Sequence, residues 1–365
     1  MGVVSTIPGP QAGTRRLTDG PIRLMVVDDS VTARTVFSRI IAREKDLELV
    51  VEAATAEEAL EILAVADVEV ILLDLEMPGM GGLEAMPQLI EAAPDAKIMV
   101  VSSLTVAGAE PTLTALSLGA ADTLAKPRPG TFDQEYRDRL VAKIRALGGA
   151  AIRASAPALA PQRLKPELRP ASRKRPKVLA IGASTGGIHA LGQFFHALPP
   201  RIHIPIIVTQ HLPGSFMDAF ARQLQQVSGR PASLAAEGTV LQADHIVIAP
   251  GNAHVMVAEI NGRLKITLDK TPASSGCMPS VDPMFASLAE SIGAHTLGVV
   301  LSGMGRDGTD GAGKIAAAGG TILVQDEESC AVWGMPGSAA TAGLASSILP
   351  PDQIAGKVAS CMKLA

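Results

Sequence analysis

Hydrophobic residues along this chain fall in short apolar runs separated by amphipathic stretches. Between residues 22 and 145 the runs are Ile22–Val27, Leu49–Ala53, Val68–Leu73, Ile98–Val101 and Thr123–Ala125. The segments between them, such as Thr32–Ala42 and Ala56–Val65, carry apolar residues at helical spacing. Buried strands alternating with one-sided helices predict βαβ units around a parallel sheet. The pattern breaks at residues 148–177, GGAAIRASAPALAPQRLKPELRPASRKRPK, which lack a sustained period and are rich in Pro, Ala, Arg and Lys. Such composition reads as a flexible linker. The alternation resumes with predicted strands Val178–Gly182, Pro205–Gln210, His245–Ala249, Leu297–Ser302 and Thr321–Gln325. Predicted helices are Gly187–Ala197, Ser215–Val227, Pro283–Ser291 and Gly311–Ala318. Val255–Ile260 and Leu264–Leu268 read as an added hairpin turning at Asn261-Gly262. The expected fold class is therefore α/β, with two doubly wound parallel-sheet domains. The expected divisions are a disordered tail (1–21), a first domain (22–145), a flexible linker (146–176) and a second domain (177–365).

A length of 365 residues agrees with two cores. With 47% hydrophobic but only 2% aromatic residues, those cores must pack through Val, Ile, Leu, Ala and Met. The net charge of -4 and the scarcity of aromatic rings argue against a nucleic-acid partner. The basic run near residue 173 reads as solvated linker, since no folded module accompanies it. Cys277, Cys330 and Cys361 are too few and too scattered for a disulfide framework or a zinc site, which fits a reduced, cytoplasmic setting. The amino-terminal stretch lacks an apolar signal-peptide core, and no run approaches the ~20 residues of a membrane span. No direct membrane insertion is expected.

Four strands of the first domain end in chemistry. Ile22–Val27 runs into Asp28-Asp29-Ser30, and Ile71-Leu72-Leu73 into Asp74-Leu75-Glu76-Met77-Pro78-Gly79. Val100-Val101 runs into Ser102-Ser103, and Leu124-Ala125 into Lys126-Pro127. In a parallel sheet these ends share one edge, where ligands bind. Clustered carboxylates repel unless a hard cation such as Mg2+ joins them, and that cation neutralises a transferring phosphoryl group. Asp74 could then accept a phosphoryl group as nucleophile, with Ser102 and Lys126 binding its oxygens. A lone Asp pair is more often a solvated strand end; the ordered set carries the reading.

In the second domain Val178–Ile181 leads into Gly182-Ala183-Ser184-Thr185-Gly186-Gly187 and then a helix. A serine there meets free N–H groups at a helix start, suiting acyl transfer with an oxyanion hole. Taken alone, the segment could as well be a phosphate-binding glycine turn. Two further strand ends tip the balance: Ile206–Gln210 leads into His211, and Val299–Leu301 into Ser302-Gly303-Met304-Gly305-Arg306-Asp307. Serine, imidazole and carboxylate thus converge on one edge. Of seven histidines, His211 is best placed: His189 and His196 lie on a helix, His203 at the wrong strand end, and His245, His254 and His295 flank strands. The G-x-S-x-G match suggests an α/β-hydrolase, yet the favoured order, Ser184, His211, Asp307, is not that fold's. That alternative would need Asp244 or Asp282 with His295. Asp282 also reads as a helix cap, and Trp333 as either a cleft wall or a packing residue.

Residues 22–145 closely resemble the receiver domain of response regulators. The resemblance implies a flavodoxin-like fold and makes Asp74 the phosphorylation site. Asp29, Asp74 and the Glu76 backbone carbonyl would hold Mg2+, with Asp28 acting through water, and a cis Lys126-Pro127 bond is expected. Gly81 replaces the family's usual Asp, and Thr123 its usual aromatic switch residue. Residues 177–336 resemble the catalytic domain of the CheB family of chemotaxis protein-glutamate methylesterases. The matching words are IGASTGG, TQHLPGSF, APGNAH, MPSVDPMF, LSGMGRDG and WGMPGSA. The resemblance implies a Rossmann-like serine esterase without a cofactor, with Ser184 as nucleophile, His211 as base and Asp307 as its partner. Backbone N–H groups of Thr185 and Met304 would form the oxyanion hole. It also implies methyl-accepting chemoreceptors as substrate, glutamine deamidation as a second activity, a chemotaxis histidine kinase as phosphodonor, and a receiver that covers the cleft until phosphorylated. The rivals are a serine hydrolase with another ester substrate, a non-catalytic docking regulator and, remotely, a DNA-binding regulator.

Overall fold

The computed structural model describes residues 20–102, 106–126, 133–149 and 166–363. Residues 1–19 of the expected tail, the middle of the linker and the Lys126-Pro127 bond lie outside the described residues.

The first domain alternates β1 (Ile22–Val27), α1 (Val31–Ile41), β2 (Leu47–Ala53), α2 (Ala56–Leu63), β3 (Val70–Leu73), α3 (Gly81–Ala92), β4 (Lys97–Ser102), α4 (Val106–Leu118), β5 (Asp122–Ala125) and α5 (Gln134–Leu147). The strands form one parallel sheet in the order β2-β1-β3-β4-β5. Every residue of β3 is buried, as a strand covered by helices on both faces requires. The helix starts are locally specified. Ser30, Thr55 and Asp133 each accept the N–H three residues on, at 3.3, 3.2 and 2.8 Å. The chain reverses direction in the sheet between β1 and β3, so Asp28 and Asp74 follow the two strands that flank the switch point.

The second domain contains β6 (Val178–Ala183), α6 (Gly187–Ala197), β7 (Ile206–Gln210), α7 (Met217–Ser228), β8 (Ala232–Leu234), β9 (Ile246–Ile248), β10 (His254–Ile260), β11 (Arg263–Asp269), α8 (Val281–Ile292), β12 (Thr296–Val300), α9 (Thr309–Ala317), β13 (Thr321–Gln325), α10 (Met335–Thr341), β14 (Ser347–Leu349) and α11 (Pro351–Cys361). Seven strands run parallel in the order β14-β13-β12-β6-β7-β9-β8, and β10-β11 is the expected antiparallel hairpin. The switch point falls between β6 and β12, the strands that lead to Ser184 and Asp307. Strands β8 and β14 escape the sequence reading because three-residue, half-buried edge strands are too short to show a period. Helix α11 was also unanticipated, although Pro351 at its first turn signals the start.

The expected linker needs correction. Residues 166–176 lie along the second domain: Arg169 N–H donates to the Ala345 carbonyl at 2.8 Å, and Ser172 bonds Thr321 and the Ala294 carbonyl at 2.8 and 2.9 Å. Apolar periodicity cannot reveal a segment held by its backbone, one serine and one arginine, Arg169, whose guanidinium donates to the Ala316 carbonyl.

The two domains touch. Helix α4 packs on α6 and α7, so one apolar cluster runs through both, including Leu113, Leu116, Ile188 and Phe216. Hydrogen bonds reinforce the contact. Gln223 donates to the Leu113 carbonyl (3.1 Å) and the Ser117 hydroxyl (2.5 Å), and the exposed Arg222 pairs with Glu110.

Candidate active site

The acidic edge of the first domain assembles as its strand ends suggest. Asp28 and Asp74 are buried, Asp29 is exposed, and one oxygen of each lies within 4.8 Å of the others. Lys126 Nζ sits 2.5 Å from Asp74 Oδ2 and 2.9 Å from Asp28 Oδ2. Burial pushes the Asp74 carboxyl above its usual range; Lys126 opposes this and Asp28 adds to it. Burial pulls the other way on Lys126, but its bonds to the two carboxylates dominate and raise it. An all-oxygen set with one exposed member suits a small hard cation that keeps some of its water. Glu76 is exposed and its N–H donates to Asp74 Oδ1 at 3.2 Å. Ser102 is buried at its strand end, but its hydroxyl pairs with Thr112 of α4 at 2.8 Å. Gly81 has φ +68°, a region that favours glycine.

In the second domain Ser184 follows β6 directly, and its N–H donates to the Ser302 carbonyl beyond β12 at 3.0 Å. Gly186, at φ +77°, makes the turn into α6. Gly303 approaches so closely that a Cβ there would lie 2.9 Å from Ser184 Cβ. His211 follows β7, its N–H donating to the Ala183 carbonyl at 3.1 Å. Its Nε2–H donates to Asp307 Oδ2 at 2.8 Å. Serine and histidine share a cavity of about 270 Å³, yet among the described residues the Ser184 hydroxyl makes no hydrogen bond. The imidazole–carboxylate pair is made, and the serine lines the same cavity.

Asp307 is 2% exposed and fully solvated by protein donors. Oδ1 accepts the Ser280 hydroxyl at 2.6 Å and, more weakly, Asp282 N–H; Oδ2 accepts Val281 N–H at 2.8 Å besides His211. Asp307 thus caps α8. Burial alone would raise its pKa, but the bonds from His211, Ser280 and Val281 hold it well below the usual carboxylate range. Burial favours a neutral His211 ring; its bond to Asp307 and the neighbouring Cys277 sulfur outweigh that and push it up to about 9. Cys277 Sγ lies within 4.8 Å of a His211 nitrogen and an Asp307 oxygen. The Thr185 and Met304 N–H groups are without a partner among the described residues.

Several residues differ from expectation. Asp282 does not cap its own helix; its carboxylate accepts Gly311 N–H at 2.7 Å and caps α9. Asp282 and Asp307 therefore exchange helices. His189, set aside in the sequence as a helix residue, donates from Nδ1 to the Ser117 carbonyl of the first domain at 2.9 Å. The α/β-hydrolase alternative fails: Asp244 binds the N–H groups of Ile202 and His203, while His295 bonds the Arg175 carbonyl. Trp333 is a packing residue, its indole N–H donating to the Gln325 carbonyl at 3.0 Å. The sequence reading missed Gln210, whose buried amide donates to the Ser184 carbonyl at 2.9 Å, and Ser280 with His254 behind Asp307. Their only signal is position inside motif words.

The cavity is closed by the other domain. Asp122, Thr123, Arg139 and Lys143 line it opposite Ser184, Gln210 and His211. Thr185 Oγ1 donates to Asp122 Oδ2 at 2.7 Å, Lys143 Nζ meets the same oxygen at 2.5 Å, and Gly186 N–H donates to the Ala121 carbonyl at 2.6 Å.

Residues 179–358 match the family described as CheB methylesterase, and residues 24–135 the response regulator receiver domain. The protein-glutamate methylesterase/protein-glutamine glutaminase 1 of Rhodospirillum rubrum is 40% identical, the alignment covering 94% of this chain and 96% of that one. The corresponding enzyme 2 of Caulobacter vibrioides is 42% identical, covering 93% and 98%. The crystal structure of the Thermotoga maritima CheB methylesterase catalytic domain is 36% identical with a TM-score of 0.50, covering 51% of this chain and 98% of that domain. With the acidic edge, the serine turn and the His–Asp pair all inside the matched segments, this chain belongs to the CheB methylesterase family, its esterase domain preceded by a receiver.

Proposed function

We propose that this protein is a phosphorylation-activated serine esterase that hydrolyses glutamate methyl esters on chemoreceptors and deamidates receptor glutamines. The observation that carries the reading is that His211, paired with the buried Asp307, shares a cavity with Ser184 that residues of the first domain also line. Ser184 Oγ attacks the ester carbonyl while His211 takes its proton; methanol leaves with that proton, and water then hydrolyses the glutamyl ester. An amide follows the same path with ammonia leaving. The free N–H groups of Thr185 and Met304 would receive the oxyanion. With Nε2–H held by Asp307, Nδ1 is the nitrogen left to act as base.

In the receiver, Asp28, Asp29, Asp74 and the Glu76 carbonyl would hold Mg2+, which neutralises the incoming phosphoryl group. Asp74 would attack phosphorus as the donor's phosphorus–nitrogen bond breaks and its histidine leaves, with Lys126 and Ser102 binding the phosphoryl oxygens. Lys126 must loosen its bond to Asp74, and Ser102 its bond to Thr112. Both changes occur beside α4, the helix that packs on the esterase domain. A histidine kinase of the chemotaxis pathway is the proposed phosphodonor. No helix among the described residues is long and apolar enough to cross a membrane.

The test is methanol release from a methylated chemoreceptor, with and without acetyl phosphate. Release is expected to rise with the phosphodonor and to return to the resting rate when EDTA removes the cation. A phosphodonor effect that persists in EDTA would count against the metal assignment, and generic esters outpacing the receptor would favour another substrate.

The reaction should also follow the charge on His211. A pKa raised to about 9 means the stabilising pair is complete below the ring's ordinary 6.5 and fades as pH climbs through 9. A base must be unprotonated, so kcat/KM is expected to rise about tenfold per pH unit from pH 6 to 8 and to level near 9. Levelling near 6.5 would mean that the active form does not keep this pairing.

A further inference from the structure

We infer that Ser280 and His254 are positioning residues for the esterase reaction, forming with Asp307 a buried chain that fixes the tilt and tautomer of His211. The inference rests on the reading that Asp307 orients His211. Ser280 and His254 are both 0% exposed. The chain runs from the Thr271 carbonyl, which accepts His254 Nε2–H at 2.9 Å, to His254 Nδ1, which accepts Ser280 N–H at 2.9 Å. The Ser280 hydroxyl donates to Asp307 Oδ1 at 2.6 Å, and Asp307 Oδ2 accepts His211 at 2.8 Å.

Each link has a direction. His254 Nδ1 must offer a lone pair, so its proton sits on Nε2 and the ring cannot turn over without breaking two bonds. Ser280 occupies the N-cap position of α8 with extended backbone, yet makes no cap bond to its own helix. An N-cap serine ordinarily turns its hydroxyl to the helix N–H groups. Here Asp307 takes the Val281 and Asp282 N–H groups, which leaves the hydroxyl free to bind the carboxylate instead. With Oδ1 held by Ser280 and Oδ2 by Val281, the carboxylate has one orientation, and the imidazole follows it.

Charge follows the same route. The hydroxyl draws electron density from Asp307. Without it the carboxylate is more basic and grips the imidazole proton harder. The titratable and charged neighbours that bear on this are Asp307 and Cys277 at His211, Asp122, Arg139 and Lys143 across the cavity, and Asp282 at Asp307, with Asp310 beyond.

The test uses the full chain with Mg2+ and acetyl phosphate, measuring methanol release from methylated chemoreceptor across pH. Ser280→Ala is expected to lower kcat about tenfold or more, the factor carried by one buried hydrogen bond to a charge. KM should hold, the acidic limb of kcat/KM should move to higher pH, and Ser280→Thr should restore most of the rate. An unmoved limb with equal losses in the Ala and Thr variants would overturn the inference in favour of simple packing, and so would an unchanged kcat. If Ser280→Ala does not fold, His254→Asn against His254→Leu decides, because only Asn keeps an acceptor for Ser280 N–H; equal activity of the two overturns the chain. Ser184→Ala, run alongside, separates the readings: if it remains active the serine mechanism is at fault, not the positioning.

Discussion

Replacing Ser184 with Ala is expected to lower methanol release from methylated receptor by about 10⁴-fold or more, with the fold intact. Nucleophiles of hydroxyl–imidazole–carboxylate sites carry effects of this size, and what remains comes from binding and the oxyanion donors. The packing around the site makes the variant clean. The Ser184 hydroxyl makes no hydrogen bond among the described residues, so its removal leaves no buried partner unsatisfied. Its N–H and carbonyl, which hold the turn against Ser302, Gly187 and Gln210, are untouched. Thermal unfolding should match the parent while the rate collapses. A rate within tenfold of the parent would remove Ser184 from the mechanism and leave Cys277, the other nucleophile beside His211, to be examined.

The second large effect should come from the lid. Asp122 Oδ2 accepts the Thr185 hydroxyl and pairs with Lys143, a side-chain junction between the receiver and the loop carrying Ser184 that stands beside the Gly186–Ala121 backbone bond. Asp122→Ala removes that junction. A buried hydrogen bond to a charge contributes about 1.5–3 kcal/mol, which moves a closed–open balance tenfold or more towards open. The unphosphorylated variant is therefore expected to release methanol about tenfold faster than the unphosphorylated parent. Acetyl phosphate should add correspondingly less. A fragment starting near Pro166 should be faster still; it keeps residues 166–176, which the second domain holds by hydrogen bonds. A fragment no faster than the resting full chain would mean that covering the cleft is not what restrains the enzyme.

Much of this was legible in the chain. Periodicity located the central strands because strands buried on both faces are continuous apolar runs: β6 is Val178–Ala183, all six residues buried. It also placed Asp28, Asp74, Ser184 and His211 beyond strand ends, where parallel topology makes them neighbours. Asp307 was found through its glycine-rich turn. What could not be read has one physical cause, the exchange of partners between distant segments. Asp282 looked like the cap of the helix it begins; only the fold brings Gly311 to it. Nothing near Thr123 suggested that it would face Ser184 across a cavity. His254 was set aside as a base on sound grounds, but the argument that excluded it from proton transfer could not detect support from behind.

The exchange of caps between α8 and α9 has a mechanical consequence. Each helix begins on a carboxylate borrowed from the other's approach, so neither can shift without uncapping its neighbour. Asp307 is thereby held in the frame of its own domain and, among the described residues, has no hydrogen bond to the receiver. The opposite side of the cleft is different: Thr185 and Gly186 are gripped by Asp122 and Ala121. The two sides of the cleft are thus anchored differently, Asp307 by its own domain and the Ser184 loop by hydrogen bonds that cross to the receiver.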